Sequence, residues 1–204
     1  MIGIVDYGMG NLRSVFNALV FLGFEATVVH QPDGLEACDR LILPGVGAYA
    51  HAMQNLHAKG FIPVLQELSA QGRPLLGICL GMQMFSTTGS EPVLCQGLNL
   101  IAGEVIPMQA RPEMPLPHVG WNTVRLRSAH PLFSGVREGD VYFVHSYCFH
   151  PAVEADILCV SEYGGEFISG VAHGNVVGLQ FHPEKSQNVG MRILENFCLW
   201  DGTC

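Results

Sequence analysis

The stretch Leu75-Leu76-Gly77-Ile78-Cys79-Leu80-Gly81-Met82-Gln83 carries a cysteine with a glycine two residues to either side, where an apolar run ends. The run predicts a buried strand, and a helix is expected to follow Cys79. A cysteine that only fills a core has no need of that frame. A strand-to-helix turn tight enough to strain its apex residue does, because side chains at −2 and +2 would clash; the spacing is that of a nucleophile elbow. Such an apex lies at the C-terminal edge of a parallel strand, where open α/β sheets place their sites. It also lies at a helix N-terminus, whose dipole favours a thiolate. The amide of Leu80 is then free to point at a developing oxyanion. Cys79 is therefore read as a nucleophile. The ordinary alternative, a small buried hydrophobe, is accepted for the cysteines at 38, 95, 148, 159, 198 and 204.

On the N-terminal side, Ile2-Gly3-Ile4-Val5, Ala26-Thr27-Val28-Val29 and Leu41-Ile42-Leu43 read as three more apolar strands. Asn11 is placed as the cap of a helix with the stripe Leu12, Val15, Phe16, Leu19 and Val20, stopped by Gly23. Tyr49, Met53 and Leu56 share a helical face that ends at Gly60, and a further helix over 62–70 ends at Gly72. Continuously apolar strands alternating with helices predict a parallel sheet covered on both faces. The second half holds more strand-like pieces, at 103–108, 120–126, 141–144, 167–172 and 176–181. Gly164-Gly165 and His173-Gly174-Asn175 are expected hairpin turns. A last helix carries Val189, Ile193, Phe197 and Trp200 on one side. The expectation is an α/β fold with a mixed, mostly parallel central sheet flanked by helices and antiparallel strands in the C-terminal half. Residues 1–204 read as one domain, with the proline-rich stretch 107–117 as an internal loop. Residues 85–89 are polar and β-prone, so the helix after Cys79 is expected to fray early.

Composition excludes several classes. With ten Lys+Arg against eighteen Asp+Glu, a net charge of −8 argues against nucleic-acid binding. No apolar run approaches the ~20 residues of a membrane span, and no signal peptide precedes Met1-Ile2-Gly3-Ile4-Val5. A cytoplasmic protein with free thiols is expected. No Cys-x-x-Cys or His-Glu-x-x-His spacing occurs, so neither metal nor cofactor is expected.

A thiol nucleophile needs a base, and the base an orienting group. His182 follows the apolar stretch 176–181 and so ends a strand, as Cys79 does. Glu184 stands two residues on, and in extended backbone the two side chains share a side. Pro183 between them holds that geometry. A surface turn opening the last helix is the plain alternative for these three residues alone; beside Cys79, a triad is the better reading.

Gly77-Ile78-Cys79-Leu80-Gly81-Met82-Gln83 together with Gln180-Phe181-His182-Pro183-Glu184-Lys185-Ser186 resembles the class I (triad) glutamine amidotransferases. Among these, four stretches are similar to the glutaminase subunit of imidazole glycerol phosphate synthase, of histidine biosynthesis. They are Val5-Asp6-Tyr7-Gly8-Met9-Gly10-Asn11-Leu12-Arg13-Ser14-Val15, Leu43-Pro44-Gly45-Val46-Gly47-Ala48, His118-Val119-Gly120-Trp121-Asn122 and Val144-His145-Ser146-Tyr147. The resemblance implies a flavodoxin-like amidotransferase fold and hydrolysis of L-glutamine to glutamate and ammonia through a Cys79 thioester. It implies His182 as base and acid, and Glu184 as its orienting group. The oxyanion donors would be Leu80 N–H and a second N–H from the loop at Val46 and Gly47. Gly47, Gln83, Tyr142, Ser146 and Tyr147 would hold the glutamine.

The same resemblance implies a heterodimer with a cyclase subunit, which receives the ammonia. Asn11, Trp121, Asn122 and Lys185 would face that partner. A helix cap suffices for Asn11, Trp121 fits core or interface, and Lys185 fits an exposed side chain. His145 reads as a structural hydrogen-bonder. Cys148 stands where an aromatic residue often follows His-Ser-Tyr in such proteins. Gly8-Met9-Gly10 after a strand lacks the third glycine of a dinucleotide fingerprint, since position 13 is Arg13. Another amidotransferase's glutaminase subunit, a degenerate scaffold and a free-standing cysteine hydrolase remain the competing readings. A glutaminase active alone would waste glutamine, so the chain is expected to be nearly silent without its partner, with the Gly45-Val46-Gly47 loop as the gate.

Overall fold

The computed structural model describes residues 1–112, 114–136 and 139–203. Cys204 and Glu113, the latter inside the proline-rich loop, lie outside the described residues. The first half alternates as the apolar runs predict. It contains β1 (Ile2–Val5), α1 (Leu12–Phe21), β2 (Ala26–Val29), β3 (Arg40–Gly45), α2 (Tyr49–Ala58), α3 (Phe61–Ala70), β4 (Leu75–Cys79) and a single turn, α4 (Leu80–Gln83). Two short strands follow, β5 (Thr88–Gly89) and β6 (Cys95–Gln96), then β7 (Gly103–Pro107), β8 (His118–Thr123) and β9 (Arg125–Leu126). The chain closes with β10 (Asp140–His145), β11 (Tyr147–Pro151), β12 (Ile157–Glu162), β13 (Glu166–His173), β14 (Val176–Leu179) and α5 (Gln187–Leu199).

Eight strands form the main sheet in the order β2-β1-β3-β4-β14-β13-β12-β9. The strands from β2 to β14 run parallel, and β13, β12 and β9 are antiparallel. Both faces of the parallel part are covered, which is why its strands need no polar alternation. On one face Ile4, Leu76, Ile78 and Val177 meet Val15 and Leu19 of α1 and Ile193 and Phe197 of α5. On the other, Val5, Leu41, Leu43 and Leu75 meet Leu56 of α2 and Leu65 of α3. Each fully buried side chain of this kind contributes ~1.5–3 kcal/mol. Two smaller sheets, β10-β8 and β11-β7-β5-β6, complete the fold.

Register decides what meets at the sheet's C-terminal edge. Gly45 of β3 pairs with Cys79, and Leu179 of β14 pairs with Ile78. Cys79 is thereby flanked by the loop leaving β3 on one side and by the segment from Gln180 on the other.

Some expectations need correction. Asn11 makes no side-chain cap hydrogen bond, and its ψ of 60 departs from the extended backbone of a capping residue. The expected strand over 120–126 divides: β8 pairs with β10, whereas β9 joins the edge of the main sheet through β12. The strand over 176–181 stops at Leu179. Trp200 leaves the last helix in extended backbone. The turn after Cys79 ends as early as its sequence indicates. Amides of 98–101 take the carbonyls of Met84, Phe85 and Ser86, which a longer helix would have used.

Candidate active site

Cys79 has φ 54 and ψ −111, a left-handed-side conformation costly for any residue with a Cβ. The glycine frame follows from the close packing around the turn. A Cβ at Gly77 would stand 2.7 Å from Met82 N and 2.6 Å from the Phe85 ring, and one at Gly81 would collide with the Leu43 carbonyl. The elbow thus presents Sγ at the mouth of β4 while the sheet packs beneath it. Sγ lies 3.8 Å from the Val144 carbonyl oxygen and 3.7 Å from Gln180 Nε2.

His182 comes from the adjoining strand end. Its amide donates to the Tyr142 carbonyl at 2.9 Å, and Ser186 Oγ donates to its carbonyl at 2.6 Å. His182 Nδ1 sits 2.9 Å from Glu184 Oε1, both side chains being buried. Pro183–Lys185 form a 3-10 turn, so the carboxylate reaches the ring by a turn and not through extended backbone, which corrects the i, i+2 argument. Nδ1–H donates to the carboxylate, which leaves Nε2 as the working nitrogen; Nε2 and Glu184 Oε2 are buried without hydrogen-bond partners. Burial disfavours the charged ring, but the neighbouring Cys79 sulfur and the Glu184 carboxylate outweigh it and raise the His182 pKa to about 9. Burial pushes the other described cysteines the opposite way to reactivity: Cys38 and Cys95 are raised, Cys148 to about 11, and Cys159 and Cys198 to about 12.

Cys79 opens on a cavity of about 500 Å³. Val46, Gly47, Leu80, Gln83, Ser146 and Tyr147 line it with the cysteine. Gly47 has φ +100, which favours glycine. Tyr142 does not line the cavity. Its ring lies 6.4 Å from that of His182, 6.0 Å from Trp121 and 5.6 Å from Lys185 Nζ, on the outer side of the histidine. Trp121 is 48% exposed, so a core role is ruled out for it. Asn122 Nδ2 donates to the Glu162 carbonyl at 2.6 Å. Asn11 follows Gly10, whose backbone packs on Pro44 beside the β3 loop.

Four lining residues were not expected as site residues from the sequence: Ala48, Glu91, Pro117 and Val144. Glu91 brings a carboxylate to the cavity, and burial raises its pKa. Its only sequence signal is an acidic residue ahead of Pro92. His145 also lines the cavity; burial lowers its pKa to about 4, and its two ring nitrogens are engaged by the Tyr147 carbonyl and His118, as a structural hydrogen-bonder requires.

A family profile for class-I glutamine amidotransferases matches residues 3–200. The chain belongs to this family. As an amidotransferase it is 46% identical to the imidazole glycerol phosphate synthase subunit HisH of Moorella thermoacetica, over 96% of this chain and 93% of that one. It is 44% identical to the HisH subunit of Geobacter sulfurreducens, over 96% of this chain and 97% of the relative. Solved amidotransferases share the fold at lower identity. A glutamine amidotransferase crystal structure superposes with a TM-score of 0.74 at 20% identity, over 97% of this chain and 98% of that one. PurLQS from Thermotoga maritima gives 0.76 at 18%, over 97% of each.

Proposed function

We infer that the chain is the glutaminase subunit of an imidazole glycerol phosphate synthase, acting in histidine biosynthesis, and that Cys79, His182 and Glu184 perform its chemistry. The observation that carries the residue roles is the strained Cys79 elbow opening on the cavity, with the buried His182–Glu184 pair beside it. The Cys79 thiolate attacks the side-chain amide carbon of glutamine and a C–S bond forms. The carbonyl oxygen becomes an oxyanion, held by Leu80 N–H and an N–H of the Val46–Gly47 loop. As the C–N bond breaks, His182 gives its Nε2 proton to the departing ammonia. Neutral His182 then takes a proton from the water that attacks the thioester. The second tetrahedral intermediate expels the thiolate, releases glutamate and returns the thiolate–imidazolium pair.

Gly47, Gln83, Ser146 and Tyr147 are proposed to hold the glutamine, and the Glu91 carboxylate suits its α-ammonium. Tyr142, which packs beside His182 outside the cavity lining, is not proposed to hold the glutamine. The ammonia passes to a cyclase subunit, the proposed heterodimer partner. Trp121, edge-on to the Tyr142 ring, and Lys185, over that ring, are proposed to face it with Asn11 and Asn122. No helix among the described residues is long and apolar enough to cross a membrane. The unpaired cysteines among them suit a reducing compartment, and the cytoplasm is the proposed location.

The test is covalent. A glutamine-mimicking electrophile should add one equivalent of mass at Cys79, mapped by peptide mass, with glutamine protecting. Labelling elsewhere, or none, contradicts the assignment.

A further inference from the structure

Gln180 is the first residue past β14 and is fully buried. None of the roles above uses it. The pairing of Leu179 with Ile78 brings it level with Cys79 on the neighbouring strand. Its side-chain amide sits between two groups: Gln83 Nε2 at 3.0 Å and Cys79 Sγ at 3.7 Å.

The orientation of that amide follows from its neighbours. Gln83 Nε2 lies 3.1 Å from the Tyr147 carbonyl, an oxygen that only accepts. The Gln83 atom is therefore the nitrogen, and the Gln180 atom facing it is the oxygen. Gln180 Nε2 must then face the sulfur. The same Tyr147 carbonyl accepts from His145 Nδ1 at 2.9 Å. His145 Nε2 is left to accept from His118 Nδ1 at 3.0 Å. Burial lowers the pKa of each of these histidines to about 4, so the ring pair is neutral and its hydrogens are fixed. Donors from His145 and Gln83 converge on the Tyr147 carbonyl, and from Gln83 a single direction runs through Gln180 to the nucleophile.

We propose that Gln180 is a further catalytic residue, whose side-chain N–H donates to the Cys79 sulfur and holds it as the thiolate. A hydrogen bond to an ionised acceptor is about twice as strong as one to a neutral acceptor, so this N–H favours the thiolate over the thiol. Two properties separate it from His182. The amide has no proton to lose at working pH, so its donor persists when the imidazole is neutral. It is also locked by Gln83, so it needs no reorganisation. Its largest effect falls on the step in which the thioester C–S bond breaks and the sulfur departs with the electron pair, with His182 holding the water's proton.

This inference rests on Cys79 being the nucleophile. The experiment is the pH profile of iodoacetamide alkylation at Cys79, followed by peptide mass mapping in the full chain, for the parent, Gln180→Met and Gln180→Glu. Methionine removes the donor at similar volume. Glutamate keeps an oxygen for Gln83 and presents only oxygen to the sulfur. Both should move the alkylation midpoint to higher pH and slow alkylation at pH 7 about tenfold or more, Gln180→Glu by the larger factor. A merely structural role would lower the melting temperature and leave the midpoint of Gln180→Met in place, whereas the added charge of Gln180→Glu moves it in either case. If both variants fail to fold, Gln83→Met, which frees the Gln180 amide to rotate, should give a smaller upward shift. An unmoved midpoint in a folded variant overturns the role of Gln180. A parent in which the glutamine mimic does not label Cys79 overturns the nucleophile assignment instead.

Discussion

Cys79 has two neighbours on the sheet, and they are built differently. On the β14 side, Gln180, His182 and Glu184 are buried and tied to Gln83, Tyr142 and Ser186 by hydrogen bonds. On the β3 side, Val46 is 39% exposed and Gly47 sits at φ +100. Beneath that loop the Tyr7 hydroxyl is buried without a partner, against Gly45. The proposed nucleophile and its base are therefore assembled in the chain by itself. The proposed second oxyanion donor sits on this partly exposed segment, and glycines let such a segment reorient. We propose that proton chemistry and oxyanion stabilisation are separable here, and that the second is the one open to control by a partner.

Substitutions on the β14 side should cost the most. His182→Asn removes the group that moves the proton and should lower kcat for glutamate release by about 10²–10⁴, measured with the cyclase bound. Gly47→Ala on the β3 side forces a β-carbon at positive φ, 2.8 Å from Met9 Cε. We expect about a tenfold loss of kcat with a change in stability near 1 kcal/mol, because Met9 can move and the loop carries no core. Gly81→Ala gives the reverse pattern. The collision is with the Leu43 backbone, so a loss of about 1–3 kcal/mol in urea unfolding is expected, with residual activity in the folded fraction. Equal effects of the two glycine changes on both readouts would mean that the β3 loop is held as firmly as the elbow it faces.

The His182 charge gives a gentler test. Its folded pKa, about 9, lies above the ordinary 6.5. The stability that the raised value supplies is therefore fully present below about 6.5 and is lost as pH rises through about 9. Glu184→Gln removes one of the two partners that raise the value, so this loss should be smaller and complete at lower pH, visible in melting temperature against pH. A decline unchanged by Glu184→Gln would mean that the carboxylate does not hold the ring's charge. Tyr7→Phe should have the smallest effect, since removing an unsatisfied buried hydroxyl is neutral or stabilising by up to about 1 kcal/mol.

The elbow was legible because its constraint is local: the glycines at 77 and 81 report a clash that any tight turn there would create. The parallel half was legible for a similar reason, its strands being uniformly apolar. The network through Gln180 was not. Nothing near Gln180 in the chain says that it touches Cys79, and the contact exists because β14 lies beside β4 in one register. Tyr142 shows the same limit. Its alternation on β10 gives a face, but not which side of His182 that face meets. The strands β11 and β12 passed unread, although Ile157-Leu158-Cys159-Val160 is an apolar run of the kind that marked β1. The division at Val124 depends on which sheet each piece joins, and that is a tertiary choice.

The separation of the two sides is tested most directly by glutamate release from glutamine, for the chain alone and then with its cyclase subunit holding a ribulosyl substrate or analogue. If the oxyanion side is gated and the triad side is not, release is slow alone and rises strongly with the loaded partner, while the rate of Cys79 alkylation stays the same. Full activity without the partner, unchanged on adding it, contradicts the gate.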